Sequence, residues 1–248
     1  MSSAARTLPA VPPVQAHPAD PDDQAAGASR AAAVTTQLSS LSVSLMQDLT
    51  RTELGDTGER AMLEVLAASL RHGQAVSAQV RMGDERVVLT LFPREQLLHC
   101  RMSVDALLAT DLMTWQVEAV LSPVVRAPVS LAAPGPAGVV PPFAPLAPLA
   151  WAVALAGSRA ELLPELAGQA AYRVPPGADL DGLYMPGVML ACIQRLQRET
   201  CGVADIAQWH GIGRERAMRL LNALYLQSAL IVSRSHPAAT NTGWAGYT

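Results

Sequence analysis

The stretch that decides the fold is residues 185–236, MPGVMLACIQRLQRETCGVADIAQWHGIGRERAMRLLNALYLQSALIVSRSH. Apolar residues recur in it at helical spacing, and polar or glycine-rich breaks separate the apolar runs. The pattern predicts helices over 188–196, 203–207 and 217–225, the tight turn Gly211-Ile212-Gly213 before the third helix, and a strand over 230–232. The glycine turn lets the second and third helices cross closely.

Helix, helix, glycine turn, helix, strand is the order of a winged helix-turn-helix domain, which we predict for residues 185–236. Such domains usually read DNA, and some dock proteins instead. Six arginines stand against three acidic residues from residue 185 onward, whereas residues 1–184 carry twelve arginines and eighteen acidic residues. The candidate DNA- or partner-binding residues in the positive region are Arg214, Arg216, Arg219, Asn222 and Arg234.

Two functions fit this basic surface. In a DNA reader, Arg214 at the start of the third helix would face base edges and Arg234 in the wing would contact phosphate. Against DNA binding, Glu215 lies among the arginines, the wing at 233–237 is short, and the rest of the chain is acidic. We therefore place protein docking first and DNA binding second.

Upstream, the sequence predicts a small antiparallel sheet with flanking helices over residues 35–124. Apolar residues at helical spacing indicate helices near 38–49 and 62–70, and Gly73 is expected to end the second. Alternation with polar residues then indicates strands over 76–80, 87–92, 97–102 and 115–121, with a short helix at 105–111. The predicted fold class is α+β, with a mainly α winged-helix domain following the sheet domain.

The remaining segments are assigned by composition. Residues 1–34 are predicted to be a disordered Pro/Ala-rich tail, 125–146 a Pro-rich linker and 237–248 a loose tail. Residues 147–184 are predicted to brace the winged helix, with helices over 149–157 and 159–166 and a strand at 172–174. No charge lies between Arg126 and Arg159, but seven prolines interrupt that run, so no membrane span and a cytoplasmic location are expected.

Residues 63–124 resemble the PATAN-type domain, a module of phototaxis response regulators and other bacterial signalling proteins. The resemblance is carried by a leucine-rich helix running into Arg71-His72-Gly73, by the strands that follow, by Leu97-Leu98-His99-Cys100 and by the short helix Asp105-Ala106-Leu107-Leu108. The closing element, Leu112-Met113-Thr114-Trp115 and the strand after it, is also similar; Cys100 stands where that family usually has alanine. The resemblance implies a protein-interaction role in signalling, often tied to type IV pili or motility.

Residue types exclude several kinds of chemistry. All 18 basic residues are arginine, so neither a P-loop lysine nor a Schiff-base lysine can be present. The three cysteines form no CxxC pair, and no nucleophile, metal or dinucleotide motif occurs. We expect no catalytic, cofactor-binding or metal-binding residues. The expected function is a non-enzymatic signalling adaptor that binds protein partners and can form a homodimer; the alternative is a DNA-binding transcription regulator.

Overall fold

The structure is a computed structural model that describes residues 41–52, 61–128 and 143–239. The described residues belong to one compact unit. The predictions for the tail at 1–34 and for most of the Pro-rich linker lie outside them, as does the end of the C-terminal tail.

Seven α-helices occur in the described ranges. They are α1 Val43–Thr52, α2 Met62–His72, α3 Val104–Leu108, α4 Ala147–Ala156, α5 Gly187–Arg198, α6 Val203–Ala207 and α7 Gly213–Leu226, and a 3-10 turn covers Leu112–Thr114. The predicted stop of the second helix is confirmed, because Gly73 has φ 56° and its N–H closes the helix onto the Leu70 carbonyl. A left-handed residue at this place favours glycine.

Five strands form an antiparallel sheet of order β4-β1-β2-β3-β5. They are β1 Val76–Met82, β2 Glu85–Phe92, β3 Leu97–His99, β4 Trp115–Leu121 and β5 Phe143–Pro145. Four of them were predicted, and the α+β class is confirmed. The fifth falls inside the predicted linker: Phe143 to Pro145 pair with β3 as an edge strand.

A second, three-stranded sheet lies with α5, α6 and α7. It consists of β6 Ala171–Arg173, β7 Cys201–Gly202 and β8 Ile231–Ser233, and β6 is its central strand. The three predicted helices are present in the predicted order. The strand after the third helix pairs with β6, which precedes the first helix in the chain, so within the described residues β8 is not one arm of a wing hairpin.

Helix α4 joins the two sheets into one fold. It packs along α7 and also contacts α2, α3 and the 3-10 turn. Buried side chains from both halves of the chain, from Leu45 on α1 to Leu226 on α7, form one hydrophobic core. The described residues before and after the predicted Pro-rich linker share this single core.

The helix predicted over 159–166 is wrong. This stretch is an irregular loop whose leucines, Leu162, Leu163 and Leu166, are buried. Pro164 has no N–H to donate within a helix, and the Leu163 N–H instead donates to the Asn222 side chain on α7 at 3.0 Å. Tertiary hydrogen bonds therefore replace the helical ones that the local pattern predicted.

The Tyr172 side chain ties this loop to the second sheet. Its hydroxyl is buried and donates to the Leu166 carbonyl at 2.5 Å. Burial raises the pKa of Tyr172 to about 12, so the hydroxyl keeps its proton and remains a donor.

Among the described helices, none combines the length with the apolar character that crossing a membrane requires.

Candidate functional site: an apolar cleft beside helix α4

Helix α4 is apolar on every side, since its sequence APLAWAVALA contains no charged or hydrogen-bonding side chain other than the tryptophan. A helix of this kind is normally enclosed by protein on all sides. Leu149, Trp151 and Val153 are buried, but Ala152 and Leu155 are only half-buried and Ala156 is exposed. One side of α4 is therefore left without a packing partner among the described residues.

That side of α4 forms one wall of a cleft of about 800 Å³. Helix α3, residues 100–103, β5, the loop at 182–186 and Met189 of α5 contribute the other lining residues. Leucine, alanine, proline and methionine make up most of the lining. The volume lies in the range of sites that bind ligands or anchor side chains of a partner.

The polar groups that line the cleft are few and do not form an acid–base pair. The Ser103 hydroxyl caps α3 by accepting from the Ala106 N–H at 3.1 Å. Burial raises the pKa of the Cys100 thiol, although hydrogen bonds from the Met102 and Arg101 backbone act in the other direction, so the reactive thiolate is disfavoured. Asp105 is the one carboxylate in the lining. This predominantly apolar lining is suited to holding apolar groups.

One large exposed residue, Tyr184, belongs to the lining, and three others are next to lining residues in the chain. Tyr184 lines the cleft and is 84% exposed, while its carbonyl accepts from Trp151 Nε1 at 3.0 Å. Met113, Val188 and Leu190 are also large exposed apolar residues, and each is next in sequence to a residue of the lining. The loop is anchored to α4 while the tyrosine ring stays in solvent, which is the placement of a contact residue rather than a core residue.

Of the five binding residues predicted from the sequence, three are exposed and two are buried. Arg214 and Arg216 are exposed at the start of α7, and Arg216 donates to the Gly211 carbonyl at 3.2 Å. Arg234 is exposed, but its guanidinium donates to the carbonyls of Glu165, Ala167 and Gln169, so it holds the loop in place.

The prediction that Arg219 and Asn222 face outward is wrong. Arg219 is only 7% exposed and donates to the Gly157 carbonyl at 2.8 Å; Asn222 is fully buried, and its amide donates to the Glu161 carbonyl at 2.8 Å. The physical reason is that α4 and the loop after it cover this face of α7. Two of the five candidate residues are thus part of the core, while Arg214, Arg216 and Arg234 are exposed.

A polar cluster not expected from the sequence lies between α1, α2 and the 159–166 loop. Asp48 accepts from Arg71 at 2.5 Å and from His72 Nε2 at 2.6 Å, Arg71 also pairs with Glu165, and His72 Nδ1 lies 3.5 Å from the Ser44 hydroxyl. Serine, histidine and aspartate thus lie together. A cavity of about 150 Å³ lies beside Asp48, and its lining includes Asp48 and Arg71. Neither Ser44 nor His72 belongs to that lining. We interpret the cluster as a polar clasp, meaning a set of hydrogen bonds and ion pairs that holds α1 against α2.

The same clasp gives a prediction of pH dependence. Burial would raise the pKa of Asp48, but hydrogen bonds and charge from His72 and Arg71 outweigh it and hold that pKa below 3.8. A lowered folded pKa contributes stability that is complete above the ordinary aspartate value and is lost as the pH falls through the folded value. Asp48→Asn should therefore destabilise the protein at pH 7, and the difference from wild type should shrink below about pH 3.8.

Denaturant unfolding of wild type and Asp48→Asn at pH 7 and pH 3 measures this difference. Asp84→Asn, in the exposed turn between β1 and β2, is the control and should match wild type at both values. An Asp48→Asn difference of equal size at both pH values would show that the charge of Asp48 plays no part.

Comparison with known proteins adds no assignment: no family model matches this chain, no curated protein matches its sequence, and no solved structure matches its fold. Nor do the described ranges contain a group of three or more His, Cys, Asp or Glu side chains able to hold a metal ion. The functional argument therefore rests on the geometry of the cleft and the surface around it.

The cleft was not predicted from the sequence. Its walls come from segments near residues 100, 150 and 184, which local periodicity treats separately. Two signals pointed toward it: a helix with no polar side, and the apolar Leu183-Tyr184-Met185-Pro186 in a loop. Neither signal alone indicates which segments meet.

Proposed function

We propose that this chain is a non-enzymatic regulatory adaptor that binds a protein partner through the apolar cleft beside α4. The observation that carries the proposal is the uncovered side of α4, which lines an open apolar cleft together with the exposed Tyr184. Exposed apolar surface around a concave apolar site is typical of protein-docking sites. The resemblance of residues 63–124 to PATAN-type domains extends the proposal to bacterial signalling, with type IV pili or motility as its setting.

An adaptor role agrees with the chemistry of the cleft. Besides Asp105, the titratable side chains of the lining are Cys100, whose thiol is held in its protonated form, and the exposed Tyr184. Catalysis at neutral pH needs convergent groups with matched pKa values. The lining instead supplies what a docking site needs, which is apolar area and few polar groups to desolvate.

DNA binding is the second candidate, supported by the exposed Arg214 and Arg216 at the N-terminal end of α7. Its support is weaker because Arg219 and Asn222 are core residues and Arg234 bonds to loop carbonyls. Gel-shift titration of wild type and Arg214→Ala/Arg216→Ala at low and physiological salt tests it. Sequence-selective binding that the double variant loses would favour the DNA reader over the adaptor.

The adaptor proposal is tested by capture of partners on the full chain. Ala156 is exposed and lines the cleft, so Ala156→Trp should obstruct the cleft without removing a core contact. Ala106→Trp on α3 is the matched control, since Ala106 is equally exposed but lies outside the lining. A protein captured by wild type and by Ala106→Trp, lost on Ala156→Trp and rebound as a purified component, is the expected result.

Equal capture of every partner by all three proteins would show that the cleft is not the docking site. Thermal unfolding of both tryptophan variants must accompany the capture, because a loss of binding that follows a loss of folding has no bearing on the cleft.

A further inference from the structure

We infer that the occupant of the cleft is an amphipathic α-helix of a protein partner, with basic residues flanking its apolar face. This inference rests on the proposed function and specifies the chemistry of the partner. It follows from three properties of the cleft: the shape of its walls, the strand at its end and the charges around its mouth.

The walls favour a helix as occupant. Helices α3 and α4 contact each other, and both contribute to the lining of the open apolar cleft, together with the buried Leu98. The uncovered strip of α4, Ala152, Leu155 and Ala156, has the i, i+3, i+4 spacing of a helix face. Small side chains in that strip let a third helix approach closely and insert its apolar side chains into the groove.

An extended strand is disfavoured as occupant. The sheet edge nearest the cleft is β5, which is three residues long and ends at Pro145. Proline has no N–H to donate to an added strand, and so short an edge offers few backbone hydrogen bonds. Binding by strand addition would therefore gain little here, whereas a helix satisfies its own backbone and needs only the apolar surface.

Acidic residues in the lining, and next to it in the chain, favour basic flanks on that helix. Asp105 is exposed in the lining, Asp181 is exposed directly before the lining residue Gly182, and Asp111 is exposed directly before Leu112. Arg101 is the basic residue adjacent to the lining in sequence. The acidic excess attracts a partner with positive residues at the ends of its apolar face and disfavours one with acidic ends.

The probe is a labelled synthetic peptide of about 15 residues with leucines at i, i+3, i+4 and i+7 and arginines at both ends. A second peptide replaces each arginine by glutamate, and a third keeps the composition but scrambles the leucine spacing. Fluorescence anisotropy with the full chain should show the arginine peptide binding at least about ten-fold more tightly than either control peptide, with the advantage over the glutamate peptide shrinking as salt is added.

Variants locate the binding. Ala156→Trp should abolish binding of the arginine peptide, and Ala106→Trp should leave it unchanged. Asp181→Arg, in the loop, should weaken binding about five-fold without altering a helix, whereas Asp84→Arg in the distant turn should not. Equal binding of all three peptides, or binding that Ala156→Trp leaves intact, would overturn the inference.

Two outcomes separate this inference from the proposed function. A native partner captured through the cleft, combined with no binding of the arginine peptide, overturns the helix chemistry and leaves the adaptor role standing. A dimer detected by light scattering that Ala156→Trp dissociates assigns the cleft to a second copy of this chain and overturns the inference as well.

Discussion

Replacing Asn222 by alanine is expected to lower the free energy of unfolding by about 3 kcal/mol. Its side-chain oxygen accepts from the Leu163 N–H at 3.0 Å, and its amide donates to the Glu161 carbonyl at 2.8 Å, at a site with no exposure. Without the side chain, the buried Leu163 N–H loses its acceptor and the part-buried Glu161 carbonyl loses a donor. A buried polar group left without a partner costs about 1–3 kcal/mol. Denaturant unfolding monitored by tryptophan fluorescence measures the change.

Asn222→Leu distinguishes the lost hydrogen bonds from the cavity that alanine leaves. Leucine fills a similar volume, so its variant should remain destabilised by about 2 kcal/mol if hydrogen bonding dominates. Recovery of wild-type stability in Asn222→Leu would mean that packing is the main contribution. A wild-type unfolding midpoint in Asn222→Ala would contradict the position of this residue in the core.

Arg219→Met is expected to cost about 2–3 kcal/mol, since hydrogen bonds from a charged donor are stronger than neutral ones. The Arg219 guanidinium donates to the Leu155 and Gly157 carbonyls, where the backbone of α4 ends, and to Glu215 at 2.9 Å. A cation at a helix C-terminus also interacts favourably with the helix dipole. Methionine keeps much of the aliphatic volume, so the variant removes the donors more than the packing.

Arg216→Met, three residues earlier on the same helix and exposed, is the matched control and should change stability by no more than about 0.5 kcal/mol. Thermal unfolding of the two variants side by side makes the comparison. Equal effects of the two substitutions would place Arg219 on the surface, as the sequence had predicted. The result also matters for any DNA-binding assay, because a variant of Arg219 loses structure together with charge.

Much of the fold follows from local patterns. Alternation predicted the strands β1 and β2 of an antiparallel sheet, and the structure pairs them antiparallel from Val76 with Leu91 to Met82 with Glu85. Helical spacing predicted α2, and Gly73 predicted its end. These features depend on neighbours within one or two turns of chain, so a single sequence contains what is needed to predict them.

Where local patterns gave a wrong prediction, a segment distant in the chain had changed the surroundings of the residues concerned. Helical spacing correctly gave α7 an apolar face, but α4 covers a second face, and that burial turns Arg219 and Asn222 from surface candidates into core residues. The loop after α4 avoids the predicted helix because its backbone bonds to Asn222 instead. Periodicity reports which side of a helix is apolar, but it does not report which segment arrives there.

The sequence by itself determined most of the helices and strands, the absence of lysine chemistry and the concentration of arginine after residue 185. Tertiary structure alone decided the pairing of β8 with β6, the burial of α7 on two sides and the cleft between α3 and α4. The physical reason is the distance along the chain over which each interaction acts. Backbone preference and side-chain spacing act over a few residues, whereas a cleft forms where segments about 40 residues apart in the chain meet and leave apolar surface uncovered.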